Sequence, residues 1–291
     1  MGRSPSFAAR LACPIDPRRP VDRGHSRAPR PPDARRSRAA LCPYLPRRGE
    51  HRRDPEVEDP RDRQGAANVG GHPMTGLLVS VDVGGTLGHV DRPSLAATLA
   101  TASPLDTSEA RRIIRQKLHA QPSISPQIVV DVCAALQVPV STFPRAIAPA
   151  PLRLVPNALT ALRAMSRHAT LVTLSNVTCL EADPSALRDL LHPWVLDHFP
   201  SYRIGYAKPD PAAFQHVART CHVSTAHMVH IGDDWTCDVV GARTAGVTAI
   251  WISHGRPVPE PDRLTDHGVL VAADLVAASR QLTELAVRRR S

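Results

Sequence analysis

The hydrophobic pattern divides the chain into short apolar runs and longer stretches with helical spacing. The run Leu77–Val81 is rich in β-branched residues and too short for a helix, so it predicts a buried parallel strand. Three later runs predict further strands: Ala169–Leu174, Met228–Ile231 and Val247–Ile252. Because stretches with helical spacing separate these runs, the pattern predicts an α/β domain with a parallel sheet flanked by helices.

A helical region interrupts this alternation after the first strand. Apolar residues recur at helical spacing in Ser94–Ala102, Ser108–His119 and Ser125–Leu136, with Ser94 and Ser108 as predicted N-caps. No strand pattern occurs there, and Pro139–Pro151 reads as a linker that returns to the sheet. We therefore predict an all-helical insert at 91–151, with the α/β domain formed by 74–90 and 152–291. Its predicted helices are Pro156–His168, Ser185–Leu191, Pro211–Cys221, Asp238–Ala245 and an amphipathic helix within Leu270–Val287.

The segment before the first strand differs in composition. Residues 1–73 hold 12 of the 29 prolines, no lysine and no helical or alternating pattern, which predicts disorder. They also carry 16 arginines against nine acidic residues, so most of the net charge of +9 lies there. The remainder is nearly balanced, and the charge does not indicate a nucleic-acid-binding fold. Met74, three residues before the first strand, is a candidate for the natural start.

Composition also bears on the compartment. No apolar stretch reaches transmembrane length, and the N-terminus has no apolar region typical of a signal peptide. The six cysteines lack the spacing of zinc ligands, which favours reduced thiols. We expect a cytoplasmic protein that binds neither membranes nor specific nucleic acid. The sequence does not indicate its oligomeric state.

Polar residues stand where the predicted strands end. Asp82 follows the first strand, Ser175 the second, and Asp233 the third. The carboxyl ends of parallel strands share one edge of a sheet, where ligands bind. Converging carboxylates repel each other unless a cation is present, and hard oxygen ligands suit Mg²⁺. Lys208, one of only two lysines against 34 arginines, lies in a nearby loop as a candidate phosphate ligand.

Four segments in this order resemble the motifs of the haloacid dehalogenase (HAD) superfamily. They are VDVGGTL at 81–87, LVTLSN at 171–176, GYAKPDPAAF at 205–214 and HIGDDWTCDVVGARTAG at 230–246. The resemblance implies a Rossmann-like core, and the insert resembles the small helical cap of that superfamily. Within the insert, the sequence shows no aromatic or charged cluster that identifies a ligand.

The resemblance also implies residue roles. Asp82 would be the nucleophile that forms an aspartyl-phosphate, and Lys208 would offset its charge. Ser175 and Lys208 would bind the phosphoryl group, with Asn176 beside them and Thr86 supporting the loop after Asp82. Asp82, Asp233 and the Gly84 carbonyl would bind Mg²⁺. Asp234 and Asp238 would orient these ligands. The expected activity is Mg²⁺-dependent hydrolysis of a phosphorylated small molecule.

Gly84 departs from the phosphatases of this superfamily, which carry an acid/base aspartate at that position. Loss of general acid/base catalysis typically costs about 10²–10⁴-fold in rate. The sequence leaves three outcomes open: a phosphatase that is slow or takes its proton from Asp234, His89 or the insert, a phosphonatase or dehalogenase, and a binding or regulatory protein. A phosphonatase would need a lysine in the insert, where Lys117 is the single candidate.

The loop at Asp82 also resembles the DxGGT entry loop of sugar kinases of the actin-like ATPase type. Such kinases need a second glycine-rich segment and a repeated domain, and the sequence shows neither. The kinase interpretation also leaves the motifs at 205–246 unexplained, so the HAD interpretation is preferred.

Overall fold

A computed structural model describes residues 76–148, 150–261 and 268–289, and the predicted disordered segment 1–73 lies outside this range. The strands are β1 (Leu78–Val81), β2 (Gly88–His89), β3 (Arg153–Leu154), β4 (Thr170–Ser175), β5 (Asp197–Pro200), β6 (Met228–Gly232), β7 (Thr248–Ile252) and β8 (Val269–Ala272). Six of them form one sheet in the order β5-β4-β1-β6-β7-β8, and all of its pairings are parallel. The predicted Rossmann-like α/β core is confirmed.

Helices cover both faces of this sheet. The helices are α1 (Leu95–Ala102), α2 (Thr107–Ile114), α3 (Pro126–Ala135), α4 (Ala158–Ser166), α5 (Pro184–Leu191), α6 (Ser201–Ile204), α7 (Pro211–Thr220), α8 (Gly241–Thr244) and α9 (Leu275–Arg288). On one face, Val79 and Val81 of β1 share a core with α4 and α9. On the other, Leu78 shares a core with α7 and α8. Successive residues of β1 thus serve opposite faces, and the strand is buried on both.

Two strands of the sheet differ from the sequence prediction. The prediction placed the last helix within Leu270–Val287 and no strand beside it, whereas Val269–Ala272 forms β8 beside β7. The helix starts after Asp274, whose side chain accepts from Ala277 N. This strand was missed because its four residues are too few for periodicity to separate them from the helix that follows. Strand β5 was missed because Asp197–Pro200 (DHFP) lacks an apolar pattern; its order comes from pairing with β4.

The segment between β2 and β3 contains helices and turns but no strand among its described residues. Ser94 caps α1 as predicted, but the α2 cap is Asp106 rather than Ser108, because the Asp106 carboxylate accepts from Ser108 N. Helix α2 continues into a π-helical turn, Arg115–His119. Apolar side chains of the three helices form a separate core that Leu180, from the loop after β4, also contacts.

The chain enters and leaves this helical segment through one antiparallel ribbon. Strand β2 pairs with β3, with Gly88 opposite Leu154 and His89 opposite Arg153. A Cβ atom at Gly88 would lie 2.4 Å from the Arg153 carbonyl oxygen, so only glycine allows this approach. The two connections to the sheet therefore lie side by side.

Within the part of the chain that the structure describes, no helix combines the length and the apolar character needed to span a membrane.

Candidate active site

The ends of three neighbouring strands bring the predicted polar residues to one edge of the sheet. Asp82 directly follows β1, Ser175 ends β4, and Asp233 directly follows β6. Because β1 lies between β4 and β6, Asp82 is at the centre of this group. All three residues line a cavity of about 650 Å³, a volume suited to a small molecule.

Lys208 joins two of the carboxylates. Its Nζ donates to Asp82 Oδ1 at 2.8 Å and to Asp238 Oδ1 at 2.6 Å, and its side chain is 2% exposed. Asn176 fixes the lysine backbone through two hydrogen bonds, donating from Nδ2 to the Lys208 carbonyl at 2.7 Å and accepting at Oδ1 from Lys208 N at 2.8 Å. The second and third motifs are thereby locked together.

A buried hydrogen-bonded chain supports Asp238 from beneath the sheet edge. His230 Nε2 lies 3.1 Å from Asp238 Oδ1, and His230 Nδ1 lies 2.7 Å from Ser80 Oγ. Ser80 and His230 face each other in register on β1 and β6, and both are fully buried. Sequence reasoning missed both residues, although a polar side chain inside an otherwise apolar strand was the available signal.

The electrostatics of the site reflect crowded carboxylates around one lysine. Burial is the main cause that raises the pKa of Asp82 to about 7, and Asp238 adds to it while Lys208 opposes it. The pKa of Asp238 moves the other way: burial would raise it, but Lys208 and His230 together lower it. Burial would lower the pKa of Lys208, but the two carboxylates raise it, so the lysine stays charged.

Asp82, Asp233 and Asp238 could together hold a metal ion, because one carboxylate oxygen from each lies within 4.8 Å of the others. Burial and Asp238 also raise the pKa of Asp233, as expected where negative charge is in excess. Both oxygens of Asp238 already accept hydrogen bonds, Oδ1 from Lys208 and Oδ2 from Asp234 N at 2.8 Å. Asp82 and Asp233 are therefore better placed to face a cation, with Asp238 holding Lys208.

The loop after Asp82 approaches Asp233 closely. Gly85 has φ +80°, and a Cβ atom there would lie 2.5 Å from Asp233 Oδ1. Thr86, which is buried, donates through Oγ1 to the same oxygen at 3.4 Å. Gly84 differs from Gly85: it lines the cavity, and a Cβ atom there would meet no atom within 4 Å. The position where a phosphatase of this superfamily has aspartate thus has room for a side chain.

The fourth motif begins its helical segment earlier than the sequence predicted. The predicted helix started at Asp238, whereas a π-helical segment spans Trp235–Val240 and Asp234 caps it by accepting from Cys237 N at 2.8 Å. Asp238 therefore lies within a helical turn, and its side chain packs where Gly232 has no Cβ; a Cβ atom there would be 2.2 Å from Asp238 Cγ. Asp234 also lines the cavity.

The helical segment between β2 and β3 forms another wall of the cavity. Its polar lining residues include Arg111, Arg115 and His119, none of which the sequence prediction named as site residues. Two residues that were considered lie elsewhere: Lys117 is exposed, and the side chain of His89 is 63% exposed on the ribbon. Neither is among the residues that line the cavity.

Arg256, from the loop after β7, covers the outer side of Asp233. Its Nη2 donates to the Asp233 carbonyl at 2.7 Å and lies 3.4 Å from Asp233 Oδ2. The guanidinium also stacks over Trp251, 5.6 Å from the ring centre. His254 Nε2 lies 2.9 Å from the Gly85 carbonyl oxygen, so this loop also contacts the loop after Asp82. The resemblance did not point to either residue.

Comparison with known proteins gives partial matches. Residues 205–278 match the family model described as HAD-hydrolase-like. A phosphoserine phosphatase of Thermus thermophilus is 35% identical over 66 residues, which are 23% of this chain and 26% of that protein. The human haloacid dehalogenase-like hydrolase domain-containing protein 3 is 40% identical over 43 residues, 15% of this chain and 17% of that protein. The chain thus matches about a quarter or less of the length of these curated relatives.

Among solved structures, a 2-haloacid dehalogenase from Pseudomonas syringae pv. tomato is similar over 74% of this chain and 99% of its own chain. The sequence identity is 21% and the TM-score is 0.47. A predicted phosphoglycolate phosphatase from Haemophilus somnus is similar over 71% of this chain and 96% of its own chain, with 18% identity and a TM-score of 0.45.

The parallel sheet and the acidic group at its edge define a Rossmann-like α/β protein with a candidate hydrolase site. The family-model match contains Lys208, Asp233 and Asp238, so the segment with the third and fourth motifs is similar to HAD-like hydrolases.

Proposed function

We propose that this chain is a Mg²⁺-dependent phosphatase that acts on a phosphorylated small molecule through Asp82. The observation that carries the proposal is the position of Lys208, buried between Asp82 and Asp238 at the floor of a cavity that Ser175 and Asp233 also line. A buried ammonium beside an aspartate at a strand end suits a transferring phosphoryl group.

Asp82, Asp233 and the Gly84 carbonyl would hold the metal. Their fit rests on carboxylate oxygens within 4.8 Å of one another and on the raised pKa values of Asp82 and Asp233. When bound, Mg²⁺ supplies positive charge to the phosphoryl oxygens and keeps Asp82 ionised.

The reaction uses Asp82 as the nucleophile. One carboxylate oxygen attacks phosphorus, the bond from phosphorus to the ester oxygen breaks, and the alcohol leaves as its alkoxide. Lys208 Nζ and Ser175 Oγ hold the transferring oxygens. Water then attacks the phosphorus of the aspartyl-phosphate, which releases inorganic phosphate and restores the carboxylate.

Gly84 leaves the ester oxygen without a neighbouring acid. Asp234 is engaged as a helix cap, since its Oδ1 accepts from Cys237 N. Burial lowers the pKa of His119 to about 4, so this imidazole does not supply a proton readily near neutral pH. We therefore expect slow turnover of alkyl phosphates and faster turnover of esters whose alcohols are acidic, such as p-nitrophenyl phosphate.

The test is a panel of p-nitrophenyl phosphate, alkyl phosphates, phosphonoacetaldehyde and 2-chloropropionate, assayed with Mg²⁺ and with EDTA. Asp82→Asn should abolish Mg²⁺-dependent phosphate release, whereas Asp189→Asn, an exposed control aspartate, should retain it. Unchanged release in Asp82→Asn would refute the nucleophile assignment. Metal-independent chloride release would establish dehalogenation, and metal-dependent ligand binding without turnover would establish a binding protein.

A further inference from the structure

We infer that the helical wall of the cavity is a subsite for a second anionic group on the substrate, a carboxylate or a second phosphate. The inference rests on the proposed function, because it names the class of phosphorylated molecule that the site takes. Its residues are Arg111, Arg115 and His119, which line the same cavity as the acidic sheet edge but belong to the helical segment.

The three residues recur every four positions along one continuous helix. Arg111 belongs to α2, and Arg115 and His119 begin and end the π-helical turn that follows it. Spacing of this kind places side chains on one helix face, and all three line the cavity. Wide turns of this type are frequent at functional sites.

The arginines of this helix differ in their partners, depending on whether they line the cavity. Arg112, between them in sequence, donates to both carboxylate oxygens of Glu109, at 2.8 and 2.6 Å, and to Gln116 at 2.9 Å. Arg111 and Arg115 form no ion pair with any residue in the described ranges. Two guanidinium groups in one cavity without carboxylate partners fit a carboxylate or phosphate, which arginine binds through two parallel hydrogen bonds.

His119 adds an independent observation. Its side chain is buried, and Nδ1 has no hydrogen-bond partner among the described residues. Its carbonyl oxygen accepts from Ser201 Oγ at 2.8 Å, which fixes the end of the turn to the sheet domain. Burial, with a smaller effect of Arg115, lowers the pKa of His119 to about 4, so the imidazole is neutral. An unsatisfied buried polar group costs about 1–3 kcal/mol, and a ligand oxygen or hydroxyl would remove that cost.

The ligand is a small molecule rather than a macromolecule. The cavity of about 650 Å³ holds a compound of small size, and both walls contribute charged groups to it. One end of the substrate is the phosphoryl group at Asp82 and Lys208. The other end is the anion at the arginines, so phosphate esters of uncharged alcohols are not the preferred substrates.

The experiment measures binding without turnover. Calorimetric titration of the full chain at fixed free Mg²⁺ compares methylphosphonate with phosphonoacetate and with ethane-1,2-diphosphonate. At least one of the two-headed anions should bind ten-fold or more tightly than methylphosphonate, and the tighter of them identifies carboxylate or phosphate as the second group. Arg115→Gln and Arg111→Gln should each remove most of this advantage, and Arg115→Lys should restore part of it.

Arg112→Gln is the matched control, since it removes a guanidinium from the same helix without touching the cavity. Equal affinities for the one-headed and two-headed anions would overturn the inference. So would an equal loss in Arg112→Gln, or a loss of methylphosphonate binding in Arg115→Gln as large as the loss for phosphonoacetate.

The two proposals fail separately. If the chain hydrolyses no phosphate ester but shows the arginine-dependent advantage, the proposed function fails and the subsite stands. If it hydrolyses ethyl phosphate with the same kcat/KM as both 2-phosphoglycolate and ethylene glycol bisphosphate, the phosphatase stands and the subsite fails.

Discussion

The two walls of the cavity satisfy their polar groups in opposite ways. At the sheet edge, Lys208 is shared by Asp82 and Asp238, and Asp238 is held further by His230. On the helical wall, Arg115 and His119 Nδ1 have no such partners within the described chain. Side chains with partners in the protein are held in place before a ligand binds. Side chains without such partners depend on the ligand for their hydrogen bonds. Under the two proposals, chemistry and selectivity lie on different walls.

The largest expected effect concerns the missing acid at the sheet edge. Gly84→Asp should raise Mg²⁺-dependent hydrolysis of alkyl phosphates by about 10²–10⁴-fold, because a Cβ atom there would meet no other atom within 4 Å. The measurement is kcat/KM against a leaving-group series. Gly85→Asp is the control, since its side chain would collide with Asp233, and it should lose activity. An unchanged rate in Gly84→Asp would show that proton delivery does not limit the reaction.

The second prediction concerns the ion pairs of Lys208 with Asp82 and Asp238 at the sheet edge. Lys208→Met leaves two buried carboxylates without their shared cation, and removing one partner of a buried ion pair costs about 3–5 kcal/mol in stability. Urea unfolding in EDTA should show this loss. Lys117→Met, at the exposed lysine, should unfold like the parent chain. Parent-like stability of Lys208→Met would mean that the wall is not held by this pairing.

The smallest expected effect is the pH dependence of stability in EDTA. Because the pKa of Asp82 rises from 3.8 to about 7, the folded chain keeps a proton that the unfolded chain releases near pH 4. Asp82 therefore favours folding less as the pH rises from about 4 to about 7. The lowered pKa of Asp238 acts below this window and in the opposite sense, since that stability is lost as the pH falls.

The measurement is the difference in unfolding free energy between the parent and Asp82→Asn across this window. The difference should shift against the parent as the pH rises. A flat difference, or a shift in favour of the parent, would contradict the raised pKa of Asp82.

The sequence predicted the sheet-edge wall well because parallel strands place their carboxyl ends together. Asp82, Ser175 and Asp233 needed only correct strand ends, and the structure brings them into one cavity. The roles assigned to them remain predictions. His230 was missed because its partners lie on other elements, and Ser80 is 150 residues away along the chain.

The helical wall was beyond sequence reasoning for a different reason. RRIIRQKLH shows arginines on several sides of a helix, and which of them faces the cavity depends on how the helix packs and on the π-helical turn. Hydrophobic spacing identified the helix itself. Nothing in that spacing distinguishes Arg115 from Arg112, whereas their partners in the folded chain do.

The β2–β3 ribbon has a consequence for how the chain tolerates change in length. Since Gly88 and Leu154 are paired, the helical segment is a loop whose two ends are already joined. The entropy of closing such a loop grows slowly, by about 0.6 kcal/mol for each doubling of its length. We therefore expect insertions, deletions or whole replacements between the ribbon strands to leave the register of the six-stranded sheet unchanged. If this segment sets selectivity as proposed, its sequence can change without a change in how the core folds.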